Sequence, residues 1–222
     1  MNQKRVRQGL QDIFGPHVGI GFADPASENN ELLQAERDAA MSMVPKRMRE
    51  FAAGRAAARD ALQEIKHAPV AIPRAQDRAP VWPAGVVGSI THCHTACLTV
   101  VSHIEHWRSI GLDIEDDAPL HREAWPIVLT EAELRSVQKL PRWRRARRIK
   151  LLFSVKEAVY KAQYPVTGEI FDFHTLETHL ENNRFLASFT RDVGRYQKGM
   201  SIGGGFFEID KYVISGAQIV DR

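Results

Sequence analysis

The 222-residue sequence has only two cysteines, Cys93 and Cys97. A fold stapled by disulfides needs more, so a reducing compartment and a core built by burial are the simpler reading. No window approaches the roughly 18 uninterrupted apolar residues of a membrane helix. The stretch 1–14 is polar and broken by charges, without the apolar run of a secretory signal. The expectation is a soluble, cytoplasmic protein. Nor is there a large excess of one charge: 30 Lys and Arg stand against 27 Asp and Glu, a formal net charge of +3. That balance suits an anionic ligand without demanding nucleic acid. Hydrophobic residues make up 44%, enough for a core, and the length allows one large domain or two small ones.

Proline and glycine punctuate what is there. Residues 15–30, rich in Gly, Pro, Asn and Ser, read as loop. The segment 31–65 reads as largely helical, with a break at Pro45. Pro69, Pro73, Pro80 and Pro83 make 68–84 an extended connector. Short strands are expected at 86–92, 96–102 and 109–115. Thr130 with Glu133 forms a capping box and opens a helix. A further helix is expected over 142–163, with Pro165 as its stop, and strands over 184–190 and 212–220. Phe51, Arg55 and Arg59 lie at i, i+4 and i+8, and Phe153, Glu157 and Lys161 repeat that spacing. Each set lines one helix face. The echo hints at two similar halves, one carrying bases, the other an acid and a base.

Three segments carry candidate chemistry. In Gly111-Leu112-Asp113-Ile114-Glu115, strand alternation puts Asp113 and Glu115 on one face. Two like charges so placed repel unless a cation or a proton lies between them, and oxygen ligands suit a hard ion such as Mg²⁺. The bland alternative is a solvated strand end, since Asp116 and Asp117 continue the run. In Phe153–Lys161, Glu157 and Lys161 are i, i+4 neighbours, which alone describes a surface ion pair. Ser154 with Glu157 could instead be a cap, but nothing breaks the helix before Phe153. In Gly88-Ser89-Ile90-Thr91-His92-Cys93, small residues, hydroxyls and an imidazole could meet a phosphate, or simply end a strand. The spacing of His92, Cys93, His94 and Cys97 does not fit a zinc site.

In this order and spacing, G-S-I-T-H (88–92), G-L-D-I-E (111–115) and F-S-V-K-E-A-V-Y-K-A (153–162) resemble the 4′-phosphopantetheinyl transferases of the Sfp and enterobactin-synthase class. K-R-M-R-E-F-A-A-G-R-A-A-A-R (46–59) and P-V-W-P (80–83) also look like the branch containing the enterobactin-synthase component. The resemblance covers roughly residues 45–165. It implies an α+β fold of two similar α/β halves related by a pseudo-twofold, here 1–108 for the nucleotide and 109–222 for the metal site and catalytic helix, with the ligand in the cleft between them. It implies Asp113 and Glu115 as Mg²⁺ ligands, with Glu157 joining them or acting as base, and Lys161 facing the pyrophosphate. Arg47, Arg55 and Arg74, with His92, would hold the 3′-phosphate and adenine nucleotide of coenzyme A; Ser89 would sit beside them, and Arg59 is grouped with this basic set. The implied partner is an acyl, aryl or peptidyl carrier protein, and the enzyme is expected to be a monomer. Two departures stand out: Phe153 where many relatives have Trp, and Ile114 between the acids where some relatives have a third.

The basic run Arg142–Lys150, with Trp143 inside it, offers a rival reading as a nucleic-acid-binding module. It leads into the helix bearing Glu157, so it also offers a docking face for an acidic carrier, or simply a solvated helix face. A metal-dependent phosphodiesterase using the same carboxylates is the other alternative.

Overall fold

Helical stretches and short β-rich runs alternate along the chain. In the computed structural model, which describes residues 1–220, they build two α+β units. One comprises Met1–Ile110 and takes in Val220; the other is Gly111–Ile219. Among the described residues, no helix is long and apolar enough to cross a membrane.

The first unit begins with α1 (Gln3–Phe14), capped by the Asn2 side chain and burying Val6, Leu10, Ile13 and Phe14. There follow β1 (Gly19–Ala23), α2 (Gln34–Ala40), α3 (Pro45–Glu64), β2 (Val86–Cys93) and β3 (Ala96–His103). The strands form an antiparallel sheet in the order β1-β3-β2, with Gly19 opposite Val101 and His92 opposite Cys97. Pro45 sits in the first turn of α3, where its missing N–H costs nothing. Ala57, Ala58 and Ala61 are fully buried, and this small-residue face lets α3 settle directly on β1. A Cβ on Gly21 would lie 1.8 Å from the Ala57 carbonyl oxygen, so the strand needs glycine there. This is why β1 falls inside the stretch expected to be loop: the glycines that weaken its strand signal are the ones its packing requires.

The second unit comprises β4 (Ser109–Asp116), α4 (Trp125–Val128), α5 (Glu131–Gln138), α6 (Arg142–Thr167), β5 (Leu176–Glu181), β6 (Arg184–Phe189), β7 (Ser201–Ile209) and β8 (Tyr212–Ile219). Its sheet runs β4-β8-β7-β6-β5. Val155, Ala158, Val159 and Ala162 of α6 pack with Phe185, Ala187, Phe189 and Val213 of the sheet. A Cβ on Gly111 would lie 2.0 Å from the Ala158 carbonyl oxygen, so β4 too lies hard against its helix. The expected capping box is formed: Thr130 Oγ1 accepts from Glu133 N, and Glu133 Oε2 accepts from Thr130 N. Pro165 does not stop α6. It falls in the last turn, where only one helical bond is lost. The helix runs on to Thr167 and ends at the left-handed Gly168, whose N–H donates to the Tyr164 carbonyl.

The halves repeat one device. In the first unit Glu36, in the first turn of α2 and fully buried, accepts from Leu33 N, Ile72 N and Arg59 of α3. In the second, Glu133 of α5 accepts from Thr130 N, Thr178 N and Lys156 of α6. Glu36 to Glu133, Arg59 to Lys156 and Ala61 to Ala158 (the helix residues under Gly19 and Gly111) share one displacement of 97 positions. The internal echo is therefore present in the packing, but in a register other than the Phe51/Phe153 spacing suggested.

Candidate active site

Lys150, Glu157 and Lys161 stand at i, i+7 and i+11 on α6, close to three full turns, so they share one face. Lys161 Nζ lies 2.7 Å from Asp113 Oδ1 and donates at 3.1 Å to the Leu112 carbonyl. Lys150 Nζ lies 3.0 Å from Glu115 Oε2 and 3.8 Å from Asp116 Oδ1. Each acid expected on β4 thus has its own lysine from α6. Lys161 bonds to Asp113 across the unit, not to Glu157 in an i, i+4 surface pair. Asp113 is only 3% exposed, and Lys150 is buried; neither belongs to a solvated strand end or a solvated helix face.

The carboxylates feel one another. Burial raises the Glu157 pKa above the ordinary carboxylate range; Asp113 and Glu115 push the same way, and Lys161 opposes. Burial, then Asp113, raises Glu115, with Lys150 opposing. A set of carboxylates in mutual repulsion, offering only oxygen donors, fits a hard dication. Among the described residues, however, no three His, Cys, Asp or Glu side chains are gathered around a point that could hold one. Asp113 and Glu115 lie two apart on β4, and each already meets a lysine ammonium. Neither Cys93 nor Cys97 is in a disulfide, and buried Cys97 donates through Sγ to the Thr91 carbonyl at 3.2 Å.

Beside Glu157 opens a pocket of about 210 Å³, walled by Lys156, Glu157 and Tyr160 of α6 and by Phe171, Asp172, Phe173 and Leu176. Tyr160 meets Phe171 edge to face at 5.3 Å. Four of the pocket's seven lining residues, Tyr160, Phe171, Phe173 and Leu176, are aromatic or apolar, and two, Glu157 and Asp172, bring carboxylates. Nothing in the sequence pattern marks 171–176 as part of the site.

The first unit gathers cations. Arg47 donates to His92 Nε2 and, at 3.2 Å, to Glu50 Oε2. Arg55 is buried, stacks on Phe51 at 4.0 Å and donates through Nε to the Ile72 carbonyl at 2.8 Å. Burial pushes its pKa down to about 10, Glu36 and Cys97 oppose, and Arg47 and Arg74 push it further down. Arg55 thus feels the charge of both Arg47 and Arg74, a concentration of cations that favours an anion nearby. Arg74 is set in a tight loop by its bridge to Pro80, and Ser89 is buried in β2. Arg59 does not join this group. Both its Glu36 contacts and its bond to the Glu31 carbonyl tie it into the fold.

Two family models match the chain: the 4′-phosphopantetheinyl transferase N-terminal domain over residues 35–102, and the 4′-phosphopantetheinyl transferase superfamily over residues 109–214. The 4′-phosphopantetheinyl transferase PptT of Mycobacterium tuberculosis is 32% identical over 165 residues, covering 72% of this chain and 68% of that one. The chain belongs to the 4′-phosphopantetheinyl transferase family. Other relatives in it include the transferase Npt of Nocardia iowensis, 39% identical over 66% of this chain and 64% of its own length, and enterobactin synthase component D of Salmonella typhimurium, 36% identical over 66% and 61%. The chain thus spans a little under two thirds of those two relatives. The arginine cluster of this family member falls inside the N-terminal match, and Asp113, Glu115, Glu157 and Lys161 inside the second.

Proposed function

We propose that this protein transfers the 4′-phosphopantetheine group of coenzyme A to a serine of an apo carrier protein, releasing 3′,5′-ADP. The observation that carries the reading is the α6 face in a chain of this family: Glu157 between two lysines that each hold an acid of β4. In the reaction the serine oxygen forms a bond to the β-phosphorus and the bridging phosphoanhydride bond breaks. Glu157, whose pKa burial raises above the ordinary carboxylate range, accepts the serine proton directly or through water. Lys161 stabilises charge on the departing pyrophosphate oxygen. A Mg²⁺ ion held by Asp113 and Glu115 would supply charge neutralisation on the pyrophosphate. The aromatic pocket beside Glu157 takes the largely uncharged pantetheine arm, and Arg47, Arg55, Arg74 and His92, with Ser89 alongside, take the nucleotide and its 3′-phosphate. The first half then serves the nucleotide and the second the metal and the chemistry.

The test is direct. The protein is incubated with coenzyme A, Mg²⁺ and a panel of apo carrier proteins, and the carriers are weighed. A gain of one phosphopantetheine on a carrier, absent when the divalent ion is chelated, supports the reading. A folded protein that leaves the whole panel unmodified overturns it.

A further inference from the structure

Lys156 immediately precedes Glu157, and the proposed reaction gives it no role. Its side chain is completely buried. Its ammonium donates to Glu133 Oε2 at 2.7 Å, to the Val128 carbonyl at 2.8 Å and to the Phe173 carbonyl at 3.0 Å, so all three hydrogens are engaged. Glu133 is engaged as fully. Its Oε2 also accepts from Thr130 N, and its Oε1 from Thr178 N, each at 2.8 Å. The pair therefore joins the end of α4, the start of α5, α6, the turn at Phe173–Thr175 and β5.

A buried ion pair is a weak source of net stability. Removing two charges from water roughly offsets their attraction, and an apolar pair of the same volume often serves as well. What the pair does supply is a fixed arrangement, and the arrangement here includes the pocket. One wall is α6, carrying Glu157 and Tyr160; the facing wall is 171–176. The bond from Lys156 to the Phe173 carbonyl ties one wall to the other. The first unit uses a similar construction: Glu36, paired with Arg59, accepts from Ile72 N, and the Ile72 carbonyl takes the Arg55 guanidinium. In both units the pair ends next to a candidate site residue.

We infer that Lys156 is a positioning residue: clamped by Glu133 and the Phe173 carbonyl, it sets the gap between α6 and 171–176, and with it the seating of the pantetheine arm against Glu157. The inference rests on the reading that this pocket receives that arm.

Lys156→Met alone leaves Glu133 buried without its cation and is at risk of not folding. The test therefore uses Lys156→Met with Glu133→Gln, which removes both charges together, checked for fold by circular dichroism at the assay temperature. Binding of coenzyme A and of 3′,5′-ADP, which lacks the arm, is measured by calorimetry, and kcat by carrier mass. Wild type is expected to bind coenzyme A more tightly than 3′,5′-ADP. The double variant is expected to lose about tenfold in coenzyme A affinity, as for one good contact, and about a hundredfold in kcat, as for a misplaced reactant, while 3′,5′-ADP binds as before. If the folded variant keeps both its affinity and its kcat, or weakens equally toward the two ligands, Lys156 is part of the general framework only and the inference is overturned. If wild type itself does not prefer coenzyme A over 3′,5′-ADP, the reading of the pocket fails first and the inference with it.

Discussion

Lys161 of α6 lies 2.7 Å from Asp113 of β4 while its ammonium also donates to the Leu112 carbonyl. The lysine is thereby fixed by the strand and not by its helical neighbour Glu157, which keeps the carboxylate of Glu157 available on the same face. Along one face α6 delivers Lys150 to Glu115 and Lys161 to Asp113, with Glu157 between the two lysines on the helix and within the field of both acids. The close seating of β4 on α6 at Gly111 makes this reach short. Sequence spacing suggests a solvent-facing ion pair worth a few tenths of a kcal/mol; the structure shows an interlocked set spanning two elements.

Because Asp113 is 3% exposed and bonded to Lys161, Asp113→Ala would confound loss of a ligand with loss of packing. Asp113→Asn keeps the shape. Transfer should fall by about 10³-fold or more, about 4 kcal/mol of transition-state stabilisation, as expected for a lost charged ligand. The melting temperature in the presence of a chelator should change little. Carrier mass gain at near-normal rate in Asp113→Asn would remove the residue from the proposed metal site.

Glu157→Gln should abolish turnover and also stabilise the fold. Burial, Asp113 and Glu115 hold the folded carboxyl above its ordinary range. Above that raised pKa the folded chain carries a carboxylate it holds at a cost the unfolded chain does not share. As the pH falls, the folded state takes up the proton first and the cost disappears. Glu157→Gln should therefore melt higher than wild type at about pH 8 with chelator present, and the gain should shrink toward about pH 5. A variant that melts lower than wild type at both ends would show that the carboxylate is not strained.

On the nucleotide side, Arg55 is a poor probe because it is buried and bonded to Ile72; its loss would disturb the fold as well as the ligand. Arg74→Gln is cleaner. It should raise KM for coenzyme A by about tenfold, the usual scale for a hydrogen bond to a charged group. KM for dephospho-coenzyme A, which lacks the 3′-phosphate, should stay put. Equal effects on the two donors would place Arg74 away from that phosphate.

How much of this was legible differs element by element. The carboxylates of β4 and the helix under Glu157 could be read because period two and period 3.6 are local patterns. Strands β1 and β7 could not: Gly19, Gly21 and Gly203–Gly205 suppress strand signals, and close packing against a helix at Gly19 and Gly21, and against Gly216 and Phe185 at Gly204, leaves no room for a Cβ there. Arg59 reads as one more base on a basic face, yet a glutamate 23 positions away turns it inward. Lys150 reads as the end of a charge run and is in fact bonded to Glu115, 35 positions away. Spacing gives the face of an element; it does not say which distant carboxylate meets it.

The same distinction reshapes the basic run at the start of α6. Arg145 is bonded to the Leu140 and Gln138 carbonyls, Arg147 grips Glu208, and Lys150 is buried at Glu115. This leaves the nucleic-acid reading without a continuous basic face. Arg142, Arg144 and Arg148 are the members to test, with Trp143 75% exposed beside them and Arg144 lying over its ring. At 1.5 Å per residue, Arg148 stands about 14 Å along the axis from Glu157, within the footprint of a small protein whose serine has reached the site. An acidic carrier would be steered there by long-range attraction, which salt screens and which acts on the rate of encounter more than on the docked contact. Charge reversal at Arg142, Arg144 and Arg148 should therefore raise KM for the carrier at low ionic strength, flatten its dependence on salt, and leave coenzyme A affinity unchanged. The measurement is carrier KM against ionic strength in wild type and in the triple Glu variant. Superimposable curves would move the docking surface off this end of α6.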